Sequence, residues 1–304
     1  EADAEKAVNA YNTLKDNGMK VFIGTVTTGA CLSVISQTKA DNMFQITPSA
    51  SAAKVIANDN CFQVCFTDPN QGTASADYIA SKGLAKKVGV IYNSSDAYSS
   101  GVYDNFKAEA AAKGLDLVAS EAFTGDSKQD FSSQLSKIKA SGAELIFLPI
   151  YYQEASLILS QAKTAGITAK FFGCDGLDGL LNIENFDKSL AENVMLLTPF
   201  AANATDETTK KFVAAYNAKF DPSTLNQFAA DAYDAVYIVK AAAEKAGVTG
   251  DMSVSDICNA LKGAMTEISV DGVTGSGMTW KATGEVNKEP KAVKIENGEY
   301  QPMD

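Results

Sequence analysis

Two loops rich in hydroxyls, Thr25-Val26-Thr27-Thr28-Gly29 and Thr47-Pro48-Ser49-Ala50-Ser51, are the first places in the chain where chemistry can be sought. Each follows a short apolar run and precedes a helix-like one. At such a junction the first backbone N–H groups of the helix and its positive end face whatever lies in the loop. Thr28 and Ser51 can add side-chain donors, and the set can hold a carboxylate without an arginine. The alternative is that both are ordinary helix caps. Asp175 follows the strand-like run Lys170-Phe171-Phe172-Gly173-Cys174. Its carboxylate suits an ammonium group; the alternative is a turn aspartate ahead of Gly176. Tyr98 and Tyr151 also fall at strand exits. Their rings can cover an apolar group while the phenols stay hydrated, or they are tyrosines of the surface.

Composition removes most other chemistry. The 304 residues hold 26 basic and 37 acidic side chains, a net charge of −11, and no histidine. Every basic residue is lysine. Without histidine there is no Ser-His-Asp or Cys-His nucleophile and no His-containing zinc site. Without arginine no planar fork grips a carboxylate or phosphate. An acidic chain repels a phosphate backbone, which argues against nucleic-acid binding. Cys31, Cys61, Cys65, Cys174 and Cys258 are odd in number, and in an extended run Cys61 and Cys65 lie too far apart to pair, so the cysteines read as small apolar fillers. No apolar run reaches membrane-span length. Glu1 opens directly into a helix-like stretch with no signal peptide ahead of it, as a processed extracytoplasmic protein also would.

The elements that must position these residues alternate. Helical spacing over residues 5–17 is stopped by Gly18, and a short strand follows at 19–23. The pattern recurs to residue 174: strands at 43–46, 61–66, 87–92, 115–122, 144–148 and 170–174, with helices between them. A strand at 195–197, helices near 206–220, 226–246 and 253–262, and a tail of strands and Gly- or Asn-containing turns at 277–300 complete the chain. Such alternation predicts an α/β protein of parallel sheets with helices on both faces. Ligands then bind outside the carboxyl ends of the strands, where the loops above lie. The length suits two lobes.

The chain resembles the type I periplasmic binding proteins, in particular the amino-acid receptors of branched-chain amino-acid ABC importers. The runs that carry this are Ala7-Val8-Asn9-Ala10-Tyr11, Val21-Phe22-Ile23-Gly24 with its Thr-rich loop, Ile46-Thr47-Pro48-Ser49-Ala50-Ser51 and Cys65-Phe66-Thr67-Asp68-Pro69-Asn70-Gln71-Gly72. Tyr98-Ser99-Ser100-Gly101, Gly125-Asp126 through Asp130-Phe131, Phe172-Gly173-Cys174-Asp175-Gly176 and the stretch from Phe228 to Val236 add to them. No single run is diagnostic, but their order and spacing cover essentially the whole chain.

The resemblance implies two doubly wound parallel-sheet lobes joined by three crossovers, near Asp68, Pro199 and residues 285–289, closing on a free amino acid. Residues 1–68 with 200–286 would form the first lobe, and 69–199 with 287–304 the closing lobe. Thr28 matches the hydroxyl on the ligand carboxylate and Ser51 a second donor to it. Ser49 matches a position whose carbonyl takes the ammonium group. Asp175 matches the acidic residue on the same ammonium, where the family usually has Glu. Tyr98 and Tyr151 match rings that close over the ligand, Phe228 an apolar wall, and Asp68 a residue near the site mouth. Val26 and Thr27 belong to the first hydroxyl loop, and Val26 joins the apolar lining. The family normally begins with a strand–helix–strand unit ahead of the segment resembling residues 4–18, and that unit is expected to be missing here.

The expected protein is a monomeric, non-enzymatic, extracytoplasmic solute-binding protein, its signal peptide removed. It would reside in the periplasm or at the surface of a Gram-positive cell as a lipoprotein. It would need no cofactor and no metal, and would deliver a neutral apolar L-amino acid to a membrane ABC permease. A ligand-binding sensory domain would share the same pocket and differ only in its partner. An enzyme using Lys and Asp ranks below both, since no strand-end Lys is paired with an acid.

Overall fold

The computed structural model describes residues 2–303. In chain order the first elements are α1 (Ala4–Asp16), β1 (Phe22–Ile23), α2 (Thr28–Ala40), β2 (Gln45–Thr47), β3 (Cys61–Gln63) and α3 (Asp68–Ser81). There follow β4 (Lys87–Asn93), α4 (Ala97–Ala112), β5 (Asp116–Phe123), α5 (Ser132–Ser141), β6 (Leu145–Leu148), α6 (Tyr152–Ala165), β7 (Lys170–Gly173) and β8 (Met195–Thr198). The last are α7 (Glu207–Asn217), α8 (Gln227–Ala246), α9 (Val254–Met265), β9 (Lys291–Glu296) and β10 (Glu299–Pro302). The chain is α/β and divides into two units. Glu1–Thr67 and Phe228–Glu289 make the first; Asp68–Gln227 and Pro290–Asp304 make the second.

In the first unit β1, β2 and β3 pair in parallel in that order. One sheet face carries Phe44, Ile46, Phe62 and Val64 against Ile238 of α8 and Ile257, Cys258 and Leu261 of α9. On the α1 and α2 side Tyr11, Phe22, Val34 and Met43 cluster. Tyr11 also donates its phenol proton to Asp41, 2.8 Å away.

The second unit holds a seven-stranded sheet ordered β10-β9-β8-β7-β6-β4-β5. Its strands explain why they read as continuous apolar runs. Successive side chains of a strand point to opposite faces, so a sheet covered on both faces buries every position. Leu145 and Phe147 of β6 enter one core with Val88 and Val90 of β4. Ile146 and Leu148 enter the other with Ile91, Ile158 and Leu196. Asp96 and Asp206 accept hydrogen bonds from Ser99 N and Thr209 N and so start α4 and α7.

Within this fold class β8, β9 and β10 are antiparallel neighbours, so the sheet is mixed at that end. One expectation is corrected. Residues 200–227, expected in the first lobe, belong to the second unit, and the second passage between units comes at 227/228 and not near Pro199. Asn182 Nδ2 donates to Leu225 O at 2.9 Å, Asn203 Nδ2 to Tyr300 O at 2.8 Å, and Gln227 N to Asp178 Oδ2 at 2.8 Å. Helical periodicity says that α7 has an apolar face; it does not say which sheet that face meets.

Candidate functional site

In the first unit the two hydroxyl loops lie side by side. Thr27 is the residue preceding α2, and its side chain makes no capping bond. Thr28 is the first helical residue. It is buried, and its hydroxyl accepts a hydrogen bond from Ser51 N at 3.2 Å. Ser51 is not a cap either, since Ala52 holds that position for the 3-10 turn Ala53–Ile56. The capping alternative therefore fails for both residues.

Ser51 is 1% exposed, and its Oγ has no hydrogen-bond partner among the described residues. A buried hydroxyl left so costs about 1–3 kcal/mol, and a ligand acceptor would recover that. The loop is braced from below. Thr47 Oγ1 donates to Thr25 O at 2.6 Å and accepts from Ala50 N at 2.9 Å, and Gln63 Nε2 donates to Ala50 O at 2.7 Å. Ser49 is also buried. Val26 is 41% exposed, and Phe228, in the first turn of α8, is half-buried; both stand outside this hydrogen-bonded set.

In the second unit the structure brings Asp68, Tyr98, Tyr151 and Asp175 together at the carboxyl ends of the strands. Asp175 begins a 3-10 turn after β7 and is 3% exposed. Its Oδ1 accepts the proton of the Tyr98 phenol at 2.8 Å, so it is more than a turn aspartate. The same phenol oxygen accepts from Gly176 N at 3.0 Å. Tyr98 is thus a buried partner of the carboxylate; the expectation of a hydrated phenol fails because α4 carries the ring inward. Burial pushes the Tyr98 phenol well above its ordinary range, and the charge of Asp175 pushes it further.

Tyr151 precedes α6 and stacks on Tyr98 with 5.0 Å between ring centroids. Burial raises its phenol too, and the charges that add to this all come from carboxylates: Asp96, Asp175, Asp68 and Glu154. An environment of that sign suits an ammonium ion and repels an anion. Asp68 opens α3 beside Gly101, where a Cβ would sit 2.7 Å from its Oδ2.

Sequence reasoning missed Gln71 and Gln227. Gln71 is fully buried, with Oε1 3.5 Å from the Tyr98 phenol. Gln227 Nε2 donates to Asp175 O at 2.6 Å, and Thr198 Oγ1 donates to Gln227 Oε1 at 3.2 Å. The available signal was an amide near the start of a helix in each case, Gln71 in α3 and Gln227 at the start of α8, which pattern alone does not distinguish from a solvated side chain. Among the described residues no group of three or more His, Cys, Asp or Glu side chains could hold a metal ion. No helix of the described chain is long and apolar enough to cross a membrane.

Polar groups gathered at the strand ends of an α/β fold lie where ligands of such folds bind. Residues 1–299 match the family model "Periplasmic binding protein", and the chain belongs to that family, whose members bind solutes and carry out no reaction. Membership implies an extracytoplasmic location. A relative in Brucella melitensis, the Leu/Ile/Val-binding protein homolog 3, is 32% identical over 252 residues, 82% of this chain and 67% of that protein. The branched-chain amino acid transporter substrate-binding protein of Streptococcus pneumoniae, solved with isoleucine, superimposes with a TM-score of 0.85 at 26% identity over 98% of this chain and 83% of that one. A solute-binding protein of an ABC transporter from Rhodopseudomonas palustris, solved with benzoate, shares the fold with a TM-score of 0.84 at 20% identity, over 100% of this chain and 82% of that one.

Proposed function

We propose that this protein is the solute-binding component of an ABC importer for a hydrophobic L-amino acid, with leucine, isoleucine and valine the best candidates. The carrying observation is that the two units hold unlike polar sets: buried hydroxyls with Ser51 Oγ unpartnered among the described residues in one, and a carboxylate-rich aromatic set around Asp175 in the other. A zwitterion asks for both. Thr28, Ser51 and backbone donors take its carboxylate; Asp175 and the Ser49 carbonyl take its ammonium. Val26, Tyr151 and Phe228 line the side chain. Capture proceeds by closure about the three chain passages, and a membrane permease reads the loaded protein. The protein acts as a monomer in the periplasm or tethered to the cell surface.

The absence of arginine and the carboxylates around Tyr151 favour this over an aromatic acid such as the ligand of the Rhodopseudomonas relative. A thermal-shift screen of the twenty amino acids, common sugars and benzoate tests it. Leucine, isoleucine or valine should raise Tm by several degrees. A shift with benzoate, glutamate, arginine or a sugar, and none with an apolar amino acid, sinks the assignment.

A further inference from the structure

We infer that Tyr98 and Gln227 are positioning residues for Asp175, one holding its carboxylate and the other its backbone; this rests on the reading of Asp175 as the ammonium acceptor. Tyr98 holds the carboxylate from α4. Its phenol is clamped from both sides, accepting from Gly176 N at 3.0 Å and donating to Asp175 Oδ1 at 2.8 Å. The clamp has no slack: a Cβ on Gly176 would meet the Tyr98 phenol oxygen at 2.8 Å and Ile150 O at 2.6 Å. Gln71 Oε1 lies 3.5 Å from the same phenol, beyond the Asp175 contact, so the single phenol proton goes to the carboxylate. Gln227 holds the other end of the residue, with Nε2 2.6 Å from Asp175 O and its own N–H on Asp178 Oδ2. It is the last residue of the second unit before the chain passes to the first.

The two roles leave different signatures. Among the groups that face Asp175 are Tyr98 from α4, Tyr151 at the start of α6 and Cys174 beside it, with Asp68 of α3 acting on the same Tyr151 and Cys174. Removing the phenol proton that Tyr98 gives to Oδ1 disfavours the ionised carboxylate. Removing the Gln227 amide leaves the carboxylate's own hydrogen bond in place and loosens the turn that carries it.

The test is carboxyl NMR titration of ligand-free protein labelled at aspartate, with Asp175→Asn to assign the signal, beside calorimetry with isoleucine. Tyr98→Phe should move the Asp175 titration midpoint up by roughly one pH unit, the equivalent of a charge-assisted hydrogen bond, and weaken isoleucine binding tenfold or more at pH 6. Gln227→Met should leave that midpoint in place and weaken isoleucine binding about fivefold or more. An unmoved midpoint in Tyr98→Phe, with isoleucine bound as in the wild type, reduces Tyr98 to a ring that covers the ligand and overturns its role. Wild-type affinity in Gln227→Met overturns the second role. If the wild type binds no amino acid while Tyr98→Phe still shifts the midpoint, the functional reading fails and the Tyr98 clamp stands.

Discussion

Ser51 and Asp175 share one property: each is a buried polar side chain in a loop that follows a strand. Losing one partner of a desolvated charge pair costs roughly 2–5 kcal/mol. Asp175→Asn should therefore weaken isoleucine binding at least thirtyfold, while Ser51→Ala, which deletes one neutral donor, costs about fivefold. Calorimetry that ranks the two in the opposite order removes Asp175 from the ammonium role. A different residue sets part of the pH dependence of stability. Asp231 is buried in the first unit with Lys288 Nζ 3.2 Å from its Oδ1, and Lys288 also reaches Thr274, whose hydroxyl donates to Asp234 at 2.6 Å. Burial raises the Asp231 carboxyl to about 6 from 3.8; Lys288 opposes the shift and Asp234 adds to it. A raised carboxyl binds its proton more tightly folded than unfolded. Its contribution is thus full below pH 4 and is lost as pH rises through 6. Urea titrations of Asp231→Asn at pH 4, 5, 6 and 7 should show a flatter profile than wild type; an unchanged profile would place the titration elsewhere. The strand-end placement of Thr28, Ser51 and Asp175 was legible at this scale, because a hydroxyl or acid after an apolar run announces a strand-end loop. Gln71 and Gln227 were not, because their partners lie 27 and 52 residues away along the chain.

At the scale of elements, strands and helices followed from apolar runs and periodicity, and the discrepancies have local causes. β1 shortens to Phe22–Ile23 and β3 to Cys61–Gln63 because hydrogen-bonded pairing, not apolarity, ends them. The stretch after β7 folds as three 3-10 turns, Asp175–Leu177, Leu180–Asn182 and Lys188–Ala191, which carry no period of 2 or 3.6 to find. The Gln-Gly pair at 71–72 was visible, but its purpose was not. A Cβ on Gly72 would sit 2.6 Å from Val102 O and 2.7 Å from Phe106 N, so α3 and α4 meet backbone to side face. Those contacts cannot swing away as a flexible side chain could. Gly72→Ala should destabilise the second unit by about 1–3 kcal/mol through overpacking. Urea denaturation followed by fluorescence measures this, and a midpoint equal to or above wild type would show that the helices separate at no cost.

Across the whole molecule, two units with separate cores were legible from length and alternation, but the unequal size of their sheets was not. The first rests on three parallel strands of two or three residues each, the second on seven strands of four to eight. Local stability follows the amount of cooperative core, so the first unit should open at lower denaturant. The cysteines report on this directly. Cys31, Cys61, Cys65 and Cys258 belong to the first unit and Cys174 to the second, and all five are buried. Burial holds Cys31 and Cys258 up to about 11 and Cys61 to about 12, and raises Cys174 well above the ordinary thiol range. A thiol must become a thiolate to react, so modification in the native state should be slow at all five sites. At intermediate urea, pulse labelling with an alkylating reagent read by peptide mass spectrometry should mark the four first-unit cysteines while Cys174 stays protected. Isoleucine, if bound as proposed, should delay labelling in both units by raising the free energy of opening. Cys174 reacting first, or all five together in one transition, would show that the three-stranded unit is no weaker than its neighbour.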